Sequence, residues 1–170
     1  MLNLAERKVK PDHTSCIQFK NATNSGTGGA MKASTPTNVI ESGIRVRYAE
    51  TDQMGVAYHG NFIIWMEVGR VEYCRARGIR YRDLERDEGI LLMVVEARCR
   101  YVAPATYDQE VAIRTWIEEA NPRLLRFGYE FLDAGDRAVL ARGETKHVFC
   151  GSDRKPRKLP ERYRAVFGMA

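Results

Sequence analysis

Residues 59–78 read HGNFIIWMEVGRVEYCRARG, and this stretch decides how the rest of the chain must be arranged. The spacing of its apolar side chains predicts a helix of about five turns. Gly78 stands where a helix commonly ends on a left-handed residue. In the first half, apolar side chains point in nearly every direction around the axis: Phe62, Ile63, Ile64, Trp65, Met66 and Val68. We therefore expect the first half to be wrapped on several sides instead of lying on a flat surface.

The segments on either side of this helix alternate apolar and polar residues, which predicts β-strands. One of them, GIRVRYAE at residues 43–50, precedes the helix. Four longer segments follow: LLMVVEARCRYVA at 91–103, EVAIRTWIEE at 110–119, RLLRFGYEFL at 123–132 and AVLARGETKHVFC at 138–150. In the first of these four, the apolar face is expected to consist of Val95, Ala97, Cys99 and Tyr101. A short helical or irregular piece is expected at residues 81–87.

The connections between the later strands are short and carry turn residues, which favours antiparallel neighbours. The chain order is one strand, one long helix and then four strands. This order predicts an α+β fold in which a curved, antiparallel, five-stranded sheet wraps one central helix. The wrapping would explain why the first half of the helix is apolar all round.

Composition and charge divide the chain into three parts. With 170 residues, 44% of them hydrophobic and 29% charged, the chain suits one domain with a real core. Residues 1–40 are rich in Asn, Ser, Thr and Gly without periodicity, so we expect a flexible extension before a domain at 41–150. The formal charge of +5 is modest, but residues 151–170 form a basic tail. That tail either meets phosphates or is simply solvated.

The sequence carries no sign of a secreted, membrane-spanning or metal-binding protein. No apolar run approaches the roughly 20 residues that a bilayer-crossing helix needs, and no secretory signal is present. The four cysteines, Cys16, Cys74, Cys99 and Cys150, lack the paired spacing of a zinc site. We therefore expect a soluble cytoplasmic protein with reduced thiols, no metal and no cofactor.

The stretch TDQMGVAYHGNF, residues 51–62, joins the first strand to the helix and is called the Asp52 motif below. Its string Thr-Asp-x-x-Gly-Val-x-Tyr-His-x-Asn resembles the hot-dog-fold acyl-CoA thioesterases of the 4-hydroxybenzoyl-CoA thioesterase type, especially the branch associated with the bacterial Tol-Pal operon. The similarity covers residues 43 to about 150. It implies thioester hydrolysis with Asp52 as the catalytic aspartate. It also implies a homodimer or homotetramer whose active sites lie at subunit interfaces.

The residues of the Asp52 motif suit this chemistry on their own account. An aspartate carboxylate is ionised at neutral pH, so Asp52 can activate a water as general base or attack the carbonyl carbon as nucleophile. The first N–H groups of a helix have no intrahelical acceptor and carry the positive end of its dipole. Those around His59 and Gly60 are therefore the candidate oxyanion donors. Gly60 would also let a substrate approach the backbone closely.

Each of these residues also has a structural interpretation. Asp52 occurs in a Gly-containing loop, where Asp commonly caps a turn. The ring of His59 can serve only to hydrogen-bond the loop, since the mechanism needs its backbone more than its imidazole. Tyr58 and Asn61 are expected to position the substrate, Tyr58 by lining the acyl pocket. A second carboxylate, Glu67 within the helix, is interpreted as the partner of Arg70 in an ion pair at i+3 spacing.

Coenzyme A carries phosphates, so basic side chains are expected to bind it. The candidates are Arg123 and Arg126, together with Lys146 or the basic residues at 154–158. Strand arginines are also commonly paired with neighbouring glutamates. Two alternatives stay open: a thioesterase that prefers acyl carrier protein, and a non-catalytic module that binds acyl thioesters or nucleic acid. The intact Asp52 motif and the lack of an aromatic stacking platform argue against nucleic acid.

Overall fold

The computed structural model describes residue 36 and residues 38–169, so most of the predicted N-terminal extension lies outside the described residues. The elements are β1 (Ile40–Arg45), a 3₁₀ helix (Tyr48–Glu50), α1 (Asn61–Ala76), α2 (Tyr81–Glu88), β2 (Ile90–Tyr101), β3 (Glu110–Asn121), β4 (Leu124–Asp133), β5 (Val139–Gly151), α3 (Glu161–Arg164) and a second 3₁₀ helix (Ala165–Phe167). The predicted order of one strand, one long helix and four strands is confirmed, and the fold is α+β.

The five strands form one sheet in the order β1-β3-β4-β5-β2, and every neighbouring pair is antiparallel. The β3–β4 and β4–β5 pairs are hairpins, as their short connections predict. The strands β1 and β2 lie at the two edges of the sheet. The long helix α1 packs against one face of this sheet, which places its first residues beside the β2–β3 connection.

The hydrophobic core lies between α1 and the sheet. From the helix, Phe62, Trp65 and Met66 are buried, and from β4 the ring of Phe131 packs against those of Phe62 and Trp65. The ring centroids of Phe62 and Phe131 are 5.3 Å apart in an edge-to-face arrangement. Full burial of a side chain of this size contributes about 1.5–3 kcal/mol to folding, so this layer fixes the position of the helix start.

The chain wraps its own helix less completely than predicted. Phe62, Trp65 and Met66 are buried, but Ile63 and Ile64 on α1 are 38% and 55% exposed, so a single chain leaves one side of the first half uncovered. The apolar face predicted for β2 is also largely open, with Val95 53% and Tyr101 45% exposed. A bulge after Val94 shifts the alternation, and β2 is an edge strand whose side chains α1 does not fully cover.

The elements next to the helix differ from the prediction at their ends. The strand predicted at residues 43–50 ends at Arg45, and Tyr48–Glu50 form a 3₁₀ helix instead. The helix itself is shorter than 59–78, running from Asn61 to Ala76. Gly78 has a φ of +79°, the left-handed conformation that its position after the helix predicted.

The segment after β5 is packed as well as basic. Leu159 and Phe167 are buried in the core, and the Phe167 ring lies 6.5 Å from that of Phe149. The Leu159 N–H donates to the Pro122 carbonyl at 2.7 Å. The basic side chains at residues 154, 155, 157 and 158 are exposed. The predicted domain end at residue 150 therefore falls before the last packed residues.

Candidate active site

Asp52 begins a tight turn that folds the chain back on itself. Its carbonyl accepts the Gly55 N–H at 2.9 Å, its own N–H donates to the Val56 carbonyl at 2.9 Å, and Gly55 has a φ of +75°. The Asp52 Oδ1 accepts the Met54 N–H at 2.8 Å, so the turn-capping interpretation is correct for this oxygen. The other oxygen, Oδ2, has no hydrogen-bond partner among residues 38–169. One half of the carboxylate therefore holds the turn, and the other half is free to act on a water or a substrate.

The returning half of this turn is fixed to the sheet. Ala57 is buried, and its N–H donates to the Ala105 carbonyl at 2.7 Å. Val56 forms an isolated antiparallel bridge with Thr106. These contacts attach the Asp52 turn to the connection between β2 and β3, so the turn is held by hydrogen bonds at both its ends.

Glu50 joins this turn to the start of α1. Its carbonyl accepts the Tyr58 N–H at 2.8 Å and the Asn61 Nδ2 at 2.6 Å. Its buried carboxylate accepts the backbone N–H and guanidinium of Arg47, both at 2.8 Å, and the Trp65 Nε1 at 3.2 Å. Burial alone would raise the pKa of Glu50, but the hydrogen bonds from Arg47 and Trp65 outweigh it and lower the pKa. The Asn61 amide is thus used within the protein, as a brace of the helix start.

Two backbone N–H groups at the helix start have no acceptor among the described residues. They belong to His59 and Gly60, whereas the next N–H, that of Asn61, donates to the Tyr58 carbonyl at 2.9 Å. Gly60 is the N-cap of α1, with φ −62° and ψ −24°. Free N–H groups at the positive end of a helix dipole are suited to bind a developing negative charge. The same two N–H groups are the candidate oxyanion donors named from the sequence, and this role stays a prediction.

The side chains around these N–H groups form an aromatic surface. The rings of Tyr58 and His59 are 4.2 Å apart, and Tyr58 is 51% exposed. A Cβ atom on Gly60 would lie 2.8 Å from Cε1 of Tyr58, so only glycine leaves this ring undisturbed. The ring of His59 is exposed and lies 6.2 Å from that of Tyr101. No pattern in the sequence indicated that Tyr101, from β2, belongs to this region.

The two arginines predicted to bind coenzyme A lie far from Asp52 within one chain. Arg123 is exposed in the β3–β4 turn, while the Asp52 turn is attached near the opposite end of β3. At about 3.4 Å per residue, the length of β3 separates them by roughly 35 Å. Arg126 forms ion pairs with Glu119 and Glu144, at 3.5 and 3.8 Å. A single chain therefore does not bring Arg123 or Arg126 together with Asp52.

The second carboxylate candidate, Glu67, is exposed on α1. The predicted ion pair with Arg70 is wrong as a direct contact, because the two charged groups lie more than 4 Å apart; Arg70 is near Tyr81 and Tyr129 as well as Glu67. The ion pair that α1 does form at this spacing joins Glu72 and Arg75. Within residues 38–169, no group of three or more His, Cys, Asp or Glu side chains is arranged to hold a metal ion. In the same residues, no helix is both long and apolar enough to cross a membrane.

Comparison with known proteins gives a consistent result. A family model described as the thioesterase-like superfamily matches residues 46–167. The "Putative acyl-CoA thioesterase YneP" of Bacillus subtilis (strain 168) is 40% identical over 105 residues, which are 61% of this chain and 75% of that protein. The acyl-CoA thioester hydrolase YbgC of Escherichia coli O157:H7 is 29% identical over 132 residues, which are 77% of this chain and 97% of that protein.

Solved structures agree with the sequence comparison. The DHNA-CoA thioesterase of Staphylococcus aureus superposes with a TM-score of 0.70 at 32% identity, covering 76% of this chain and 86% of that one. The chain therefore belongs to the thioesterase-like superfamily, and it has the hot-dog fold that the Asp52 motif predicted.

Proposed function

We propose that this protein is an acyl-CoA thioesterase that hydrolyses its substrate to a free carboxylic acid and coenzyme A. The observation that carries the proposal is the free Oδ2 of Asp52 at the same end of α1 as the unbound N–H groups of His59 and Gly60. Thioester hydrolysis needs both a carboxylate of this kind and donors for an oxyanion. Relatives that carry acyl-CoA thioesterase names support the same assignment.

The reaction follows from these groups by one of two routes. In the first, Asp52 Oδ2 takes a proton from a water that attacks the thioester carbon. In the second, Oδ2 attacks this carbon directly and forms a mixed anhydride, which water then hydrolyses. Both routes pass through a tetrahedral oxyanion, to which the N–H groups of His59 and Gly60 donate. The carbon–sulfur bond then breaks, and the coenzyme A thiolate leaves and takes up a proton.

The active unit is a homo-oligomer, either a dimer or a tetramer. Exposed apolar side chains are found on the edge strand β2 and on the uncovered side of α1: Ile63, Ile64, Met93, Val94 and Val95. An edge strand with this many exposed apolar side chains is a typical site of association. Pairing there would also complete the cover over α1 that one chain leaves open. A monomer in light scattering at working concentration would contradict this part of the proposal.

Basic side chains provide the contact with an acidic donor group. Arg123 lies next to the exposed basic segment, because its carbonyl accepts the Phe149 N–H, and the Phe149 carbonyl accepts the N–H of Arg157. This basic region at 123 and 154–158 would reach the coenzyme A phosphates only from a neighbouring subunit, given its distance from Asp52 in its own chain. The same charge would also suit acyl carrier protein, an acidic partner, as the alternative donor.

The cellular location is proposed on chemical grounds. Cys74, Cys99 and Cys150 are free thiols, and Cys74 and Cys150 are buried. Free thiols are typical of reducing compartments. We accordingly place the protein in the cytoplasm, where acyl-CoA substrates would meet it; recovery of the native protein from a membrane or secreted fraction would contradict this location.

The test is release of coenzyme A from a panel of short, long and aromatic acyl-CoAs, with the same acyl groups on carrier protein measured in parallel. The wild type should hydrolyse at least one acyl-CoA, and Asp52→Ala should lose about 100-fold or more of the rate. Asp136→Ala is the matched control, because Asp136 caps a different turn by accepting the Ala138 N–H at 2.8 Å. Faster turnover of the carrier-protein thioesters would move the assignment to that donor. Tight, salt-sensitive nucleic-acid binding without any turnover would replace it with the binding-module alternative.

A further inference from the structure

We propose that Tyr101 is a positioning residue that fixes the His59–Gly60 peptide so that the Gly60 N–H faces the oxyanion. The inference rests on the function proposed above and adds to it a residue outside the Asp52 motif. Tyr101 is the last residue of β2 and lies 42 positions from His59 in the sequence. It therefore couples the sheet edge to the helix start.

The contact is a single well-formed hydrogen bond from a braced side chain. The Tyr101 hydroxyl donates to the His59 carbonyl at 2.9 Å. The Tyr101 ring packs edge-on against Phe62 at 5.4 Å, and Phe62 packs in turn against Phe131 in the core. Tyr101 is 45% exposed, so this ring contact with Phe62, and not burial, aligns the hydroxyl with the His59 carbonyl.

The geometry of the peptide bond transmits this constraint to the donor. In a planar trans peptide, the carbonyl of His59 and the N–H of Gly60 point in opposite directions. A hydrogen bond that holds the carbonyl oxygen therefore also holds the direction of the N–H on the other side. The hydrogen bond also polarises the peptide, which makes the Gly60 N–H a stronger donor.

Gly60 makes an external constraint necessary. Glycine is the residue with the greatest backbone freedom, so nothing in its own structure fixes the peptide before it. The only other hydrogen bond to the His59 carbonyl among the described residues comes from the Phe62 N–H, at a longer 3.3 Å. The close approach of the Tyr58 ring excludes a side chain at Gly60, so the required rigidity has to come from a neighbour such as Tyr101.

The first measurement needs no substrate. Backbone ¹⁵N relaxation of the Gly60 amide is compared in the wild type and Tyr101→Phe, which removes the hydroxyl and keeps the ring. We expect the order parameter to fall from about 0.85, typical of a rigid backbone, toward about 0.6. Tyr107→Phe is the matched control, since Tyr107 is 59% exposed and packs on Tyr48. An unchanged Gly60 order parameter in Tyr101→Phe would overturn the proposal whether or not the protein turns over acyl-CoA.

The second measurement separates positioning from binding and from stability. Tyr101→Phe should lower kcat about 10- to 100-fold, less than the loss of a whole oxyanion donor, with KM changed less than about threefold. Its thermal midpoint should stay within about 2 °C of the wild type, since ring packing is kept. A kcat equal to that of Tyr107→Phe would overturn the proposal. A wild type without activity would contradict the proposed function alone, because the Gly60 measurement still decides the role of Tyr101.

Discussion

His59 and His147 lie in opposite kinds of polar surroundings. His147, on β5, is fully buried, and its Nε2 lies 2.7 Å from Thr145 Oγ1, which lies 2.7 Å from the Tyr129 hydroxyl. Its Nδ1 has no partner among the described residues. Burial, followed by the charge of Arg70, lowers the pKa of His147 to about 3. This group of side chains is closed to solvent, and it serves the packing of the fold.

His59 belongs to a region in which polar groups are left unbound at the surface. Its ring is exposed, its N–H has no acceptor in the described part of the chain, and Asp52 nearby in sequence keeps Oδ2 free. The comparison teaches that the residue type does not identify the site. Polar groups closed off inside the protein serve the fold, whereas polar groups held at the surface and left free mark the place of chemistry.

The largest effect on kcat should come from a substitution that fills the space beside the free N–H groups of His59 and Gly60. Gly60→Ala places a methyl group against the Tyr58 ring and beside the free N–H groups, so kcat should fall about 100-fold. The φ and ψ of Gly60 are allowed for alanine, so the free energy of unfolding should change little. Gly135→Ala is the control, because its Cβ would also come close to a side-chain atom, Asp133 Oδ1 at 3.1 Å, in the turn between β4 and β5. Equal loss of kcat in both variants would contradict the assignment of Gly60.

The buried group around His147 should change how the stability depends on pH. Because the pKa of His147 falls from 6.5 to about 3 on folding, the unfolded chain binds a proton below pH 6.5 that the folded chain does not. Above pH 6.5 His147 is neutral in both states, so its protonation does not lower the free energy of unfolding. Below pH 6.5 the free energy of unfolding falls by about 1.4 kcal/mol per pH unit until the pH approaches 3.

Urea unfolding at pH 7 and pH 5 tests this effect. Between these two pH values, the free energy of unfolding should fall by about 2 kcal/mol less in His147→Gln than in the wild type. His59→Gln is the matched control, since its ring is exposed in the fold, and it should follow the wild type. The same pH dependence in His147→Gln and the wild type would show that the buried histidine does not carry this energy.

Removing the charge of Glu50, which supports the Asp52 turn and the helix start, should have a smaller but measurable effect on stability. Glu50→Gln keeps the shape of the side chain and removes the charge that binds Arg47, so the free energy of unfolding should fall by about 1–2 kcal/mol. The folded pKa of Glu50 lies below 4.5, so this difference is present above pH 4.5 and is lost as the pH falls through the lowered pKa. Chemical unfolding at pH 7 and pH 3 measures it. An undiminished difference at pH 3 would argue that the charge is not responsible.

The smallest effect is predicted for the exposed histidine itself. His59→Ala removes the imidazole and keeps the backbone N–H, so kcat should stay within about threefold of the wild type. Steady-state kinetics with the best acyl-CoA of the panel gives the answer. A loss of about 100-fold would instead assign the imidazole a direct part in proton transfer.

Periodicity predicted the elements of the fold because helix and strand spacing are local properties. The central helix, the four later strands and the β3–β4 and β4–β5 hairpins follow from residues within one segment or its turn, whereas the pairing of β1 with β3 and of β2 with β5 is long-range. Exposure is not local. The open faces of Ile64 and Val95 result from β2 being an edge strand that α1 covers only in part, which no segment shows by itself.

The site was predictable to the extent that it lies in one continuous stretch. Asp52, His59 and Gly60 belong to the Asp52 motif, and their string carried the resemblance. The contacts that hold the site in place come from a residue outside this stretch or from a residue whose role differs from the predicted one. Tyr101 reaches His59 across 42 positions, and Glu50, which alternation placed in a strand, turns its carboxylate inward to Trp65. Such contacts depend on the packing of the helix on the sheet.

The most direct test of the account is to separate the two roles of the Asp52 carboxylate. Asp52→Asn keeps an oxygen to accept the Met54 N–H and hold the turn, but it removes the charge from the free position. Asp136→Asn makes the same change in a turn of the same kind. Acyl-CoA binding by calorimetry and a single-turnover rate are measured for both variants. We predict that Asp52→Asn binds acyl-CoA within about threefold of the wild type and hydrolyses it about 100-fold or more slowly, whereas Asp136→Asn matches the wild type. Hydrolysis by Asp52→Asn at the wild-type rate would contradict the account.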